Sequence, residues 1–238
     1  DSSKYTKAMV SLPEDEEVQI PEGVQPNATV VSHTKKWAFV WMDGEDTKEE
    51  LLCKIDEKLK EKESSLIAPG DRVYVEFINE QEPVIRYIFP RKSKLSRLSV
   101  DKDGPPEQVI AANVDILFIV ASVKQPNFKP RLIDRFLIVA QNGNVEPIII
   151  LNKIDLAEEV PNEIDIYKNL GIKVIFTSCV TKQGIDEVIE TLKGKTGVLA
   201  GHSGVGKTSL IKCILPDIDA ITKEVSKKTE KGRHATTI

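Results

Sequence analysis

Two hydrophobic periodicities divide the chain. Between Asn27 and Pro90, short runs alternate apolar and polar positions: 27–33 (NATVVSH), 36–42 (KWAFVWM), 72–78 (RVYVEFI) and 84–89 (VIRYIF). They are rich in β-branched and aromatic residues, and turn signals stand at Asp43-Gly44 and Pro69-Gly70-Asp71. A period of two bounded by such turns predicts strands. Several strands in so small a span predict a small all-β barrel of the OB type over 26–92. One stretch is ambiguous. Thr47 to Glu50 reads as a capping box, followed by Leu51, Leu52, Ile55 and Leu59 at helical spacing, whereas a barrel wants a strand across Leu51 to Ile55. Both readings stay open. The aromatic residues Trp37, Phe39, Trp41, Tyr74, Phe77 and Tyr87 are expected mainly inside the barrel, with stacking on nucleic-acid bases as the alternative.

After residue 110 the pattern changes. Continuous apolar runs at 115–121, 146–151, 173–177 and 196–200 alternate with helical spacing at 131–141, 162–170, 184–193 and 209–215, the last ending before Pro216. Apolar strands separated by amphipathic helices predict a parallel sheet covered on both faces, hence an α/β domain over 111–238. Between the two regions, 93–110 reads as a linker, its boundary marked by the turn-forming run Asp101-Lys-Asp-Gly-Pro-Pro106. The basic stretch Arg86, Arg91, Lys92, Lys94 and Arg97 fits either a solvated connection or a strip contacting phosphates. The first segment, 1–25, is polar and acidic around Pro13 to Glu17 and is expected to be a flexible arm.

Composition narrows the possibilities. A net charge of −4 and a pI near 5.6 argue against a protein that coats nucleic acid wholesale, while leaving room for local basic patches. No apolar run is long enough to span a bilayer, so no membrane role is expected. Cys53, Cys179 and Cys213 lie far apart in sequence and suggest neither a disulfide framework nor a metal cluster; a reducing, cytoplasmic location is expected. The sequence opens on Asp1 rather than methionine, which reads as a trimmed or processed form.

The candidate chemistry lies in the α/β region. Gly201, His202, Ser203, Gly204, Val205, Gly206, Lys207 and Thr208, followed by Ser209, spell G-x-x-x-x-G-K-[ST] between a strand and a helix. In that context backbone N–H groups face phosphate oxygens, Lys207 reaches the outer phosphates and acts in catalysis, and Thr208 is placed for Mg²⁺. The helix N-terminus adds positive potential. At the carboxyl end of the strand 146–151 stands Asn152-Lys153-Ile154-Asp155, a strand-end position where doubly wound sheets bind ligands. A carboxylate at Asp155 can accept two hydrogen bonds from N1–H and the exocyclic amine of guanine, a pair adenine does not offer. Asn152 would hold neighbouring loops together, and the stem of Lys153 would cover the base. Ser178 and Cys179, ending the strand 173–177, would present backbone N–H groups to the guanine carbonyl.

The order of these motifs is unusual. In Ras-like GTPases the phosphate loop comes first; here both guanine-reading segments precede it, which is a circular permutation. The chain resembles the RsgA/YjeQ family of circularly permuted GTPases through its barrel followed by Pro90-Arg-Lys-Ser-Lys-Leu95, Ala111-Ala-Asn-Val-Asp115, Ile133-Asp-Arg-Phe-Leu137, Leu151-Asn-Lys-Ile-Asp-Leu156 and the run from Gly201 to Leu210. Lys231-Gly-Arg-His-Ala-Thr-Thr237 is similar to the family's switch I, G-R-H-T-T-T. The resemblance implies GTP hydrolysis to GDP coupled to late assembly of the small ribosomal subunit, with that subunit and its rRNA as partners and the protein a cytoplasmic monomer. It also implies GTP/GDP and Mg²⁺ as cofactors, with Thr237 as a second Mg²⁺ ligand (Thr236 the fallback) and His234 a catalytic residue positioning the attacking water, or else an exposed loop histidine. Switch I, rich in lysine, would be ordered by the γ-phosphate and Mg²⁺.

Departures accompany the resemblance. Ala235 replaces the first threonine of the triplet, and Lys54 to Leu59 replace the family's basic Arg-Gly segment after the barrel cysteine, weakening the expectation of RNA contacts there. The sequence ends at Ile238, before the family's D-x-P-G loop and zinc-binding C-terminal domain. It reads as truncated within switch I, with 196–200 left as a sheet edge, hydrolysis slow in these residues, and zinc expected only if such a domain exists. Two other functions share the motifs: a nucleotide-gated RNA-binding module with negligible hydrolysis, and an ATP-using P-loop enzyme.

Overall fold

The computed structural model describes residues 20–34, 36–44, 49–60, 67–79, 81–98 and 107–216. Strands β1 (Ala28–His33), β2 (Trp37–Met42), β3 (Leu51–Ile55), β4 (Arg72–Ile78) and β5 (Glu82–Ile88) close into a barrel in the order β1-β2-β3-β5-β4. Every pairing is antiparallel except β3 with β5. The disputed stretch is a strand: Cys53 and Ile55 face inward while Leu52 points out. A helical turn, α1 (Glu57–Lys60), follows it, with Asp56 accepting the backbone N–H of Lys58 at 3.0 Å. Barrel pairing on both sides of β3 outweighs the local helical spacing. Thr47 and Lys48 lie outside the described residues.

The expectation of an aromatic interior is corrected. The core is aliphatic, built from Ala28, Val30, Ala38, Val40, Ile55, Val73, Val75 and Ile85 around Cys53. Burial pushes the Cys53 thiol up to about 12, leaving it unreactive. None of the six aromatic residues is buried, and Trp37 and Phe77 are nearly half exposed. Alternation on β2 puts Trp37, Phe39 and Trp41 outside once Ala38 and Val40 fill the inside of a narrow lumen packed with aliphatic side chains.

Within the stretch expected as a linker, β6 (Lys94–Leu98) and β7 (Glu107–Ala112) form an antiparallel ribbon. It is joined to the barrel by Asp71, which is fully buried. The Asp71 carboxylate accepts from Arg91 Nε at 2.7 Å, from Arg91 Nη2 at 2.8 Å and from the Ala68 N–H at 2.7 Å. Nearby, the Ala112 N–H donates to Pro69 O at 2.8 Å, and a Cβ on Gly70 would lie 2.1 Å from Ala112 O. On its other side the ribbon meets the α/β region through the Lys94 N–H donating to Gly143 O at 2.9 Å. Three of the five residues of the basic stretch are held in ion pairs, while Lys92 and Arg97 are exposed. Arg86 pairs with Asp56 and Glu76, Arg91 with Asp71, and Lys94 with Glu107.

Strands β8 (Ile116–Ser122), β9 (Glu146–Asn152), β10 (Lys173–Thr177) and β11 (Gly197–Ala200) make a parallel sheet in the order β10-β9-β8-β11. Successive residues of β8 and β9 enter opposite cores. Leu117, Ile119, Ile149 and Leu151 meet α2 (Pro130–Asn142) and α3 (Ile164–Asn169) on one face. Ile116, Phe118, Ile148 and Ile150 meet α4 (Ile185–Leu192) and α5 (Lys207–Ile214) on the other. All seven residues of β8 are buried, as expected of a strand covered on both sides. β10 and β11 are the two sheet edges among the described residues.

Candidate nucleotide site

The four parallel strands end on one side of the sheet at Ser122, Asn152, Thr177 and Ala200, and the candidate residues gather there. Gly201 leaves β11 so close to β8 that a Cβ would lie 2.2 Å from Val120 O. Val205 is buried and anchors the loop in the core beneath α5. Gly206 has φ +99°, and a Cβ there would sit 2.4 Å from Asn152 Nδ2. Only glycine permits both that backbone conformation and that approach. Helix α5 then begins at Lys207 with no acidic residue in its first turn, which leaves its N-terminal positive potential uncompensated. Lys207 Nζ lies across the loop, donating to Gly201 O at 2.8 Å and His202 O at 2.9 Å. His202, Ser203, Gly204, Thr208 and Ser209 are exposed.

Asn152, almost wholly buried, ties three loops together. Its Nδ2 donates to Val205 O at 2.9 Å, and its Oδ1 accepts from Thr177 Oγ1 at 3.0 Å. Lys153 adopts a left-handed conformation, φ 63°, which turns the chain off the sheet. Its ammonium donates to Gly204 O at 2.7 Å and to Gln125 O, so the amine bridges two loops. Asp155 lies in the helical turn Ile154–Leu156, and its Oδ1 accepts from Ser178 Oγ at 2.5 Å. Ser178 thus contributes through its hydroxyl, because its own N–H donates to Gln183 O at 3.1 Å. Cys179 follows, its Sγ 4.0 Å from Asn152 Oδ1. Burial, foremost, and a hydrogen bond with Cys213 push its thiol up to about 11. His234 and Thr237 lie outside the described residues.

Sequence reasoning missed the loop after β8. Ser122 Oγ donates to Pro126 O at 2.7 Å, Gln125 O accepts from Lys153, and Pro126 stands beside Gly204. The available signal was positional: this loop leaves the carboxyl end of a central strand, the region that carries ligands in open α/β sheets.

The sequence matches the RsgA GTPase family model over residues 88–238. The chain belongs to the RsgA GTPase family. Among similar RsgA proteins, each named as a small ribosomal subunit biogenesis GTPase, that of Caldanaerobacter subterraneus subsp. tengcongensis is 40% identical over 169 residues, covering 70% of this chain and 54% of the relative. The RsgA of Thermotoga maritima is 36% identical over 204 residues, covering 84% of this chain and 65% of the relative. The chain thus spans between about half and two thirds of the length of these relatives. The crystal structure of YjeQ from Thermotoga maritima superposes with a TM-score of 0.64 at 31% identity, covering 81% of this chain and 66% of that one. YloQ, described as a circularly permuted GTPase, gives 0.60 at 30%, covering 82% and 66%. The RsgA fold, a closed barrel followed by a circularly permuted P-loop GTPase domain, accounts for the strand order observed here. GTPase families generally bind guanine nucleotide and Mg²⁺.

Proposed function

We propose that this RsgA-family chain binds GTP and GDP with Mg²⁺ at the loops around Asn152 and carries out hydrolysis of GTP to GDP and phosphate. We assign 26–92 to the barrel domain, 93–110 to the connection and 111–238 to the GTPase domain. The observation that carries the reading is the fastening of both guanine-type loops to the phosphate loop through one buried side chain, Asn152. Such a knot fixes the separation between a triphosphate and its base, as a nucleotide site requires. On binding, the Lys207 ammonium exchanges the Gly201 and His202 carbonyls for phosphate oxygens, and the N-terminus of α5 supports the same charge. The Asp155 carboxylate, oriented by Ser178, accepts from the guanine edge. The hydroxyl of Thr208, exposed at the start of α5, is the oxygen donor suited to Mg²⁺, which when bound neutralises charge between the phosphates. Thr237 and His234 are assigned to the metal and the attacking water on the family pattern alone.

The names of the relatives point to the small ribosomal subunit as partner; we extend this to its rRNA and to a cytoplasmic monomer as part of the same proposal. No helix among the described residues is long and apolar enough to cross a membrane. The test is Asp155→Asn. Preference should move from guanine toward xanthine nucleotides, because the amide offers a donor where the carboxylate accepted; unchanged base preference would refute the assignment. GTP turnover measured with and without small subunits tests the coupling: equal, negligible rates in both would reduce the protein to a nucleotide-gated binding module.

A further inference from the structure

Cys179 and Cys213, remote in sequence, are neighbours in the fold. Cys179 stands in the loop between β10 and α4, Cys213 near the end of α5, and both pack, partly buried, against the same core cluster. Cys213 is among the groups that raise the Cys179 thiol, and both residues are partly accessible. Lys182, on the same loop as Cys179, donates from Nζ to Cys213 Sγ at 3.3 Å. A dithiol beside an ammonium is equipped for thiol–disulfide exchange. Cys53 is buried in the barrel and offers an internal control.

We infer that Cys179 and Cys213 form a redox modification site, oxidised by a low-molecular-weight disulfide to an intramolecular disulfide that weakens guanine-nucleotide binding. In the first step the Cys213 sulfur attacks the oxidant, its S–S bond breaks, and one thiol leaves carrying the Cys213 proton. In the second the Cys179 sulfur attacks Cys213 Sγ, and the second thiol leaves with the Cys179 proton. The two cysteines lose two electrons and the oxidant gains two. The high pKa of Cys179, raised chiefly by burial, assigns it the second, intramolecular attack, where proximity compensates for a low thiolate fraction.

The consequence for the nucleotide follows from geometry. A disulfide requires the two sulfurs to close to about 2.05 Å. That draws Cys179 toward α5 and away from Asn152 Oδ1, 4.0 Å distant. The preceding residue, Ser178, orients the Asp155 carboxylate at 2.5 Å, so the strained loop disturbs the group assigned to the guanine edge. This step rests on the nucleotide site proposed above. Linkage makes the effect reciprocal, so saturating GDP should oppose oxidation by the same factor.

The experiment treats the reduced 238-residue chain with oxidised glutathione, blocks residual thiols and maps peptides without reduction, while fluorescent GDP reports affinity. The expected result is loss of two hydrogens, a peptide joining Cys179 to Cys213, Cys53 unlinked, and a GDP dissociation constant raised by about fivefold or more, restored by dithiothreitol. Cys213→Ala should bind GDP as the parent does and be insensitive to the oxidant. Absence of the cross-linked peptide, unchanged affinity with the cross-link complete, or an equal loss of affinity in Cys213→Ala would each overturn the inference. Failure of the reduced parent to bind GDP would instead refute the nucleotide reading, and the peptide map then decides the dithiol independently.

Discussion

Replacing Asn152 by alanine isolates the contribution of the knot between the loops. The substitution removes the donor to Val205 O and the acceptor of the Thr177 hydroxyl, at 2.9 and 3.0 Å. Asn152 and Thr177 are buried, so water does not readily replace the lost partners. Each buried polar group left unpaired costs about 1–3 kcal/mol, and with partial relaxation the pair should cost about 2–4 kcal/mol. For a domain of this size, each kcal/mol corresponds to about 2–4 °C in melting temperature, so thermal unfolding of the variant should come about 5–15 °C earlier. Affinity for GDP should fall at least tenfold, about 1.4 kcal/mol, because the phosphate loop is no longer tied to the base-reading turn. A double-mutant cycle with Thr177→Val, which keeps shape and removes the hydroxyl, should return a coupling of about 1 kcal/mol. A melting temperature within about 1 °C of the parent, with unchanged GDP affinity and no coupling to Thr177, would refute the reasoning.

Three further outcomes are expected. Asp71→Ala removes the buried carboxylate that accepts from Arg91 and the Ala68 N–H and should cost about 3–5 kcal/mol in urea unfolding; a neutral single variant would contradict the role of the pair. Gly206→Ala places a Cβ 2.4 Å from Asn152 Nδ2 at φ +99°, so nucleotide titration should show affinity reduced at least tenfold, about 1.4 kcal/mol, and wild-type affinity would contradict the packing. The carboxyls of Asp43, Asp56 and Glu107 are held below their ordinary values, chiefly by Arg72, by the Lys58 N–H and by Lys94 respectively. Their contribution is fully present above the unfolded carboxylate range near about 4 and is lost as pH falls through the lower folded values, because the unfolded chain binds protons first. Urea midpoints should therefore decline below about pH 4, and less steeply in Glu107→Gln; identical slopes would exclude Glu107 as a contributor.

The parts of the fold written in local pattern were legible. The limits of β4 and β10 and the apolar faces of α2 and α4 follow from periodicity and turn residues, and the phosphate loop and Asn152-Lys-Ile-Asp155 follow from compact motifs. Features that depend on contacts between distant segments were not. β3 is a strand because β2 and β5 pair with it, a fact its own leucines contradict. The aromatic residues of β2 lie outside because barrel closure chose Ala38 and Val40 for the interior. The ribbon of β6 and β7 is fixed by Asp71, Arg91 and Gly143, none of which announces a partner in sequence. At the site the residue types were readable, but the bonds made by the Ser178 hydroxyl and the Lys153 amine were not, because they arise from long-range proximity.

The order of the loops along the polypeptide carries a consequence for biosynthesis. The turns proposed to read the base leave the ribosome before the turn proposed to hold the phosphates. β11 must return to β8 across a wide sequence separation, as in the Thr196 N–H donating to Asp115, 81 residues earlier. Closing such distant segments is slow compared with local pairing. On the nucleotide site proposed above, a growing chain can therefore assemble β8, β9 and β10 while still unable to hold a triphosphate.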